Sequence, residues 1–281
     1  MNARSEPVTL MGVVNVTPDS FSDGGRYLDP NKAIAHGLKL AAEGAAILDV
    51  GGESTRPGSE GVPAEEELHR VMPVIEGLAD AAPAARISID TSKAVVAQAA
   101  LGAGATLVND VTALRGDPEM AHLIADSKAD CCLMHMLGDP RTMQINPRYD
   151  DVVDEVKAFL EQRMQFAIDA GIPAQRILLD PGIGFGKTVE HNLELLRRIN
   201  ELVALGRPVV IGTSRKSFLG RLTGRSDPEE RIAGTVATCV MAFEKGVTVF
   251  RVHDVAPVHD ALTVAAATVA PWTTSPTSTT R

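Results

Sequence analysis

Apolar residues come along this chain in short runs separated by longer stretches of helical period. The runs occupy residues 8–14, 46–50, 86–89, 105–108, 131–134, 176–179, 208–212 and 247–252, and each is followed by a polar or glycine-rich turn. Such runs read as buried strands. In the intervening stretches one face is apolar and the other carries Glu, Arg and Lys: Leu68, Val71, Met72, Ile75 and Leu78 recur at helical spacing, as do Leu193, Leu196, Ile199 and Val203. Asp29-Pro30 and Asp117-Pro118 each set an N-cap before a proline at the first helical position, where its missing N–H costs nothing. Strands alternating with helices predict a parallel sheet. Eight such units without a break favour closure into an α/β fold of the (β/α)8 TIM-barrel type over an open doubly wound sheet, which shares the local signals.

The length of 281 residues fits one such domain, since α/β barrels take roughly 250. The barrel is expected over residues 8–270, with a flexible N-terminus at 1–7 and a disordered Ser/Thr/Pro-rich tail at 271–281. At 44% hydrophobic and 22% charged residues the composition is that of a globular protein with a large core. Twenty-seven basic residues against 36 acidic ones give a net charge of -9, which disfavours nucleic acid or an anionic membrane and points to small-molecule partners. Cys131 and Cys132 are adjacent, so on a strand they face opposite sides, and Cys239 stands alone in a helical pattern. No disulfide framework is possible on that spacing. With no signal segment and no apolar run of about 18 residues, a cytoplasmic protein is expected.

The residues that close the strands are polar: Asn15, Glu53, Asp90, Asn109, His135, Asp180, Ser214, and His253 beside Arg251. A barrel gathers them at one mouth. Asp90, Asn109 and Asp180 suit the N–H edge of a flat heterocycle, because a carboxylate only accepts and an amide does both. Arg56, Lys216, Arg251 and His253 suit a phosphate or carboxylate. The run Ser214-Arg215-Lys216-Ser217 leads into a short extra helix whose N-terminus favours an anion. Residues 182–188 (GIGFGKT) imitate a phosphate-binding P-loop, but Pro181 stands where that pattern needs glycine, so they read as a mobile loop after a strand. A metal-hydrolase set of His135, His253, Asp90 and Asp180 lacks the His-x-His that would close an early strand. His36, His69, His122, His191 and His259 fall in helical stretches and read as surface residues, and at least one of Met134 and Met136 should face the barrel interior.

Residues 11–25 (MGVVNVTPDSFSDGG) followed by 49–58 (DVGGESTRPG) resemble dihydropteroate synthase of the pterin-binding family. The likeness continues through Ile89-Asp90-Thr91, Asn109-Asp110, residues 133–136 (LMHM), Asp180-Pro181-Gly182, Ser214-Arg215-Lys216-Ser217 and residues 251–254 (RVHD). The resemblance implies condensation of 6-hydroxymethyl-7,8-dihydropterin diphosphate with p-aminobenzoate, giving dihydropteroate and diphosphate by a dissociative route. It implies that Asp90, Asn109, Met134, Asp180 and Lys216 hold the pterin, and that Asn15, Arg56, Arg251 and His253 hold the diphosphate, Asn15 through a magnesium ion. Asp90, Asp180, Lys216, Arg251 and His253 would carry the catalysis. Phe21, Asp23, Thr55 and Pro57 would belong to closing loops around p-aminobenzoate, and Ser217 would take its carboxylate. A homodimer is implied as well. One departure stands out: after Asn109-Asp110-Val111 the chain reads Thr112-Ala113 where relatives often have Ser-Gly, which bears on the shape of that loop.

Two other readings share the pocket. A pterin-dependent methyltransferase would need no diphosphate group, so residues 214–217 and 251–253 count against it. A non-catalytic pterin binder would have lost residues of the first loop or of the diphosphate set, and none is lost.

Overall fold

A computed structural model gives the fold, and the structure describes residues 8–17, 29–55 and 58–269. The expected flexible segments at 1–7 and 271–281 lie outside these residues. All eight predicted strands form, at β1 (Thr9–Asn15), β2 (Ile47–Gly51), β3 (Arg86–Asp90), β4 (Leu107–Asp110), β5 (Asp130–Met134), β6 (Ile177–Asp180), β7 (Val210–Ile211) and β8 (Val249–Val252). They pair in the order β6-β5-β4-β3-β2-β1-β8-β7, each pair parallel. A parallel bridge between Leu179 and Val209 joins the two ends of that order, and the ring closes. At this seam Leu179 N–H donates to the Pro208 carbonyl at 3.0 Å, so the ladder uses the one backbone group a proline can offer.

The helices ring the barrel: α1 (Pro30–Ala42), α2 (Ala64–Ala81), α3 (Ala94–Gly102), α4 (Met120–Ser127), α5 (Val152–Asp169), α6 (Val189–Arg197), α7 (Ile199–Val203), α8 (Ser217–Thr223), α9 (Ile232–Glu244) and α10 (Val255–Val269). Asp29 caps α1 as expected, accepting from Asn31 N–H at 3.0 Å. Asp117 does not cap a helix beginning at Pro118. Its carboxylate accepts from Glu119 N–H at 3.0 Å and from Ala94 N–H at 2.8 Å, so it satisfies the start of α3 while Pro118 and Glu119 remain in a turn. The apolar stripe from Leu193 to Val203 is likewise cut in two at Arg198, whose backbone leaves the helical region at φ −109°, ψ 19°. No described helix is long and apolar enough to cross a membrane.

The period of two along each strand sorts side chains between two cores. Leu10, Leu48, Ile89, Leu133 and Phe250 point outward into the main core beneath the helices. Met11, Ile47 and Leu107, with Cys132, Val210 and Val249, fill the barrel itself, and Leu178 touches both groups. Cys131 belongs to the outer core and Cys132 to the inner, as adjacent strand residues must. All three cysteines are free. Two residues further along the strands, the same inward parity falls on Asp49, Asn109, Met134, Asp180 and Arg251, and on β3 it falls on Asp90, which pairs with Gly51 two residues after Asp49. The barrel is therefore apolar below and polar at its C-terminal mouth.

The loop after β4 shows what the Thr112-Ala113 departure does. Ala113 and Leu114 take left-handed conformations, φ 53° and 62°, where glycine would be unstrained. Buried Asp110 holds them there, accepting from Thr112 N–H and Leu114 N–H at 2.8 Å each, while Arg163 Nε donates to the Ala113 carbonyl at 2.8 Å. The loop keeps its shape without the glycine.

Candidate active site

At the mouth, Thr55, Asp90, Asn109, Met134, Asp180, Lys216, Arg251 and His253 line one cleft, with Val111, Ile183, Phe185, Gly212 and Ser214 completing its walls. Arg251 is its electrostatic centre: Nε donates to Asp49 at 2.6 Å and Nη2 to Asp90 at 2.7 Å. Burial works against the guanidinium charge, but Asp49 and Asp90 outweigh it and hold the group above the usual arginine range. Asp49 also accepts from Asn109 Nδ2 at 3.1 Å, so one carboxylate orients both an arginine and an amide of the cleft. Arg251 therefore crosses the division drawn from sequence, touching the carboxylate of the heterocycle set as well as facing the anion set.

The remaining charges are tuned by burial. Asp90 is pushed up to about 7 by burial, against the pull of Arg251. Asp180 is also raised by burial, opposed first by Gly182 N–H, which it accepts at 2.6 Å, and then by Lys216. Lys216 is brought down to about 8 by burial and the nearby Arg251 charge, and its ammonium lies 4.0 Å from the centre of the Phe185 ring. Burial and Arg251 lower His253 to about 3, so it is neutral at physiological pH. Its Nδ1 lies 3.0 Å from Ser214 Oγ.

Two strand-closing residues turn away from the cleft. Glu53 pairs with Lys93, which also donates to buried Glu67 at 2.6 Å, and Glu53 accepts from Val62 N–H at 3.3 Å. It anchors the segment between β2 and α2. His135 follows β5 by one residue, so parity sends it outward, where its ring packs edge-on against Phe159 at 4.9 Å and Nδ1 meets Lys187 Nζ at 2.9 Å. Burial and Lys187 hold it down at about 2, a neutral packing residue. Asn15 ends β1 beside Gly51, half-buried, and Ser217 is exposed at the start of α8 next to Lys216. Phe21, Asp23, Arg56 and Pro57 lie outside the described residues. Among the helical histidines, His36 and His191 are half-buried, and His191 completes a capping box with Thr188 instead of standing free on the surface.

The loop expected to be mobile is tied down along its length. Gly182 N–H donates to Asp180, Gly184 N–H to Asn192 at 2.7 Å, and Gln144 Nε2 to the Gly184 carbonyl at 2.5 Å. Lys187 Nζ donates to the Phe185 carbonyl at 3.0 Å and Tyr149 to that of Gly186 at 2.8 Å. Gly182, Gly184 and Gly186 all have positive φ, and a Cβ on Gly182 would overlap the His135 carbonyl oxygen. The glycines thus serve a tight, fixed turn that presents Ile183 and Phe185 to the cleft. Beside them Val111, Met134, Met136 and Met143 form a small apolar cluster against which Phe185 packs. A flat ring would meet apolar side chains on the cleft wall and polar groups at its edge.

Sequence reading missed Asp49, Ile183 and Phe185. Asp49 carried a signal: an acid in mid-strand, with the same parity as Asp90 at the end of its neighbour, as the pairing Gly51↔Asp90 shows. Phe185 was passed over together with the rejected P-loop, although an aromatic residue in a glycine turn after Asp180 is itself a hint.

The chain matches the family of pterin binding enzymes over residues 11–253. A dihydropteroate synthase of Haemophilus influenzae is 44% identical over 259 residues, covering 92% of this chain and 93% of that protein. The structure of Xanthomonas albilineans dihydropteroate synthase with 4-aminobenzoic acid superposes with a TM-score of 0.89 at 52% identity, covering 95% of this chain and 94% of that one. The same enzyme in complex with 7,8-dihydropteroate gives 0.85 at 48% identity, over 94% and 95%. Fold, cleft and likeness along nearly the whole length agree, and the chain belongs to the dihydropteroate synthase family of pterin-binding enzymes.

Proposed function

We propose that this chain joins 6-hydroxymethyl-7,8-dihydropterin diphosphate to p-aminobenzoate, releasing diphosphate and forming 7,8-dihydropteroate. The observation that carries the reading is the meeting, in one cleft, of a carboxylate–amide edge (Asp90, Asn109, Asp180) with cations and donors (Lys216, Arg251, His253) between apolar walls. Asp180 accepts from the amino-pyrimidine edge of the pterin, Asn109 and Lys216 bind its other polar atoms, and Met134 and Phe185 cover its faces. Arg251 and the neutral His253, together with Arg56, face the diphosphate.

The route is dissociative. The C–O bond to diphosphate breaks with its electron pair leaving on oxygen, a cation forms on the pterin methylene, and the aniline nitrogen attacks it and then loses a proton. Arg251 stabilises charge growing on the leaving group, while Asp90 and Asp180 offset the cation. No side-chain nucleophile takes part. Thr55, Pro57, Phe21 and Asp23 shape the p-aminobenzoate pocket, and Ser217 at the start of α8 receives its carboxylate.

The donor chemistry suits a magnesium ion held by Asn15 and the diphosphate with several waters, since magnesium commonly keeps its waters and takes few protein ligands. Asp49 and Asp90 are engaged by Arg251, so they do not compete for the ion, and the amide oxygen of Asn15 at the end of β1 would be its protein ligand. When bound there, the ion would neutralise charge on the leaving diphosphate. Three free, buried cysteines suit a reducing compartment, and we place the protein in the cytoplasm. A homodimer is supported by the largely apolar groove between α9 and α10, where Val264 is 65% exposed.

Purified protein given magnesium, the pterin diphosphate and p-aminobenzoate is expected to release diphosphate and dihydropteroate in equal amounts. Pterin binding without either product would overturn the reading in favour of a non-catalytic binder. A methyltransferase reading gains nothing from Arg251 and His253 in the cleft, which it does not need.

A further inference from the structure

Two consecutive residues of the loop after β7 pair with two consecutive residues at the end of β8. Arg215 forms a two-pronged ion pair with Asp254, Nε to Oδ2 at 2.9 Å and Nη2 to Oδ1 at 2.6 Å, from a left-handed backbone at φ 58°. Arg231 Nη1 donates to the Arg215 carbonyl at 2.8 Å and Arg215 N–H donates to Thr235 Oγ1 at 3.2 Å, so the loop is also held from behind. In register with this clamp, Ser214 Oγ lies 3.1 Å from the His253 backbone nitrogen and 3.0 Å from its ring Nδ1.

The chemistry of that contact fixes a proton. A peptide N–H can only donate, so it takes one lone pair of Ser214 Oγ. The hydroxyl has a single proton to give, and Ser214 is 5% exposed, which leaves little water to receive it. The acceptor at hand is Nδ1 of a ring that burial, reinforced by the nearby Arg251 charge, keeps neutral. A neutral imidazole that accepts at Nδ1 carries its hydrogen on Nε2.

We propose that Ser214 is a positioning residue that holds His253 in the Nε2–H tautomer, so that the ring presents a hydrogen-bond donor, and no lone pair, to an anion in the cleft. The role rests on the reading of His253 as a diphosphate contact. Ser214 lies in the cleft wall, but its hydroxyl is committed to the backbone and ring of His253. It acts through the ring, and the Arg215–Asp254 clamp keeps the two loops in the register that brings Oγ onto Nδ1. An Nδ1–H ring would turn a lone pair toward phosphoryl oxygens and lose the contact altogether.

Long-range nitrogen–proton NMR on protein labelled in its histidines tests this without turnover, with the His253 resonances assigned by their loss in His253→Asn. The wild type is expected to show Nε2 protonated and Nδ1 accepting. Ser214→Ala should shift the ring toward the Nδ1–H form and weaken inorganic diphosphate about tenfold, with affinity for a dihydropterin lacking diphosphate unchanged. Ser214→Thr, which keeps the hydroxyl, should restore the wild-type tautomer. An Nδ1–H ring in the wild type would overturn the proposal, and that measurement stands even where a variant does not fold. So would an unchanged tautomer in Ser214→Ala, or equal losses for diphosphate and pterin. Failure of the condensation assay with the Nε2–H tautomer present would instead count against the catalytic reading alone.

Discussion

At the residue scale, the cleft depends on polar groups whose burial has been offset by a partner, and Lys187 shows how far this goes. It is 3% exposed, meets His135 Nδ1 and donates to the Phe185 carbonyl, with no carboxylate within hydrogen-bonding reach among its described contacts. Burial lowers it to about 7, opposed by Asp180 and reinforced by Lys216. In the unfolded chain the same amine titrates near ~10.4. Between those values the unfolded state binds the extra proton, so this group makes the fold more stable as pH rises from 7 toward 10. Lys187→Met should remove that part of the slope, and urea midpoints at pH 7, 8 and 9 would show it as a gap between wild type and variant that narrows or reverses in favour of wild type as pH rises. Parallel curves would contradict the lowered value. The strand-closing acids and cations were legible because a strand end is a sequence signal. Which of them turn inward was not, since one residue of register separates Met134, in the cleft, from His135, behind it.

At the element scale, the sequence announces every strand to within about two residues, because a parallel strand buried on both faces must be an apolar run. Helix starts are less certain where an acid has a choice of donors, as Asp117 does between its own turn and α3. The loop after β6 is the element whose character was misread, since glycines that signal freedom in an isolated segment here satisfy a fixed turn. Gly182→Ala meets both a positive φ and the His135 carbonyl, and should cost about 3 kcal/mol or more while displacing Ile183 and Phe185 from the cleft. Gly206 offers the matched control, with φ 77° and nothing near its missing Cβ, so Gly206→Ala should cost only about 1 kcal/mol of strain. Chemical denaturation and pterin titration on the two variants separate these cases: pterin affinity should fall in the first and stay in the second. Loss of neither would mean that the turn is free to move.

At the scale of the whole molecule, closure of the ring explains why one end binds and the outside can do something else. The mouth is built from strand ends, whereas the groove of Val240, Ala261, Val264 and Ala265 lies on helices at the outer wall, rimmed by Glu244, Asp260 and Thr268. A two-fold pairing needs a patch that complements itself, and the small Ala261 and Ala265 beside exposed Val264 can interdigitate with a second copy across such an axis. Val264→Glu would place a carboxylate in the middle of that contact, opposed by its own symmetry mate as well as by Glu244 and Asp260. We expect it to turn a sedimenting dimer into a monomer while pterin affinity, set inside the barrel, stays within about twofold. A wild type that sediments as a monomer would remove the assembly from the proposal and leave the cleft untouched. A monomeric variant that also loses pterin would show instead that the outer wall and the mouth are coupled through α10, which follows β8 and begins two residues after His253.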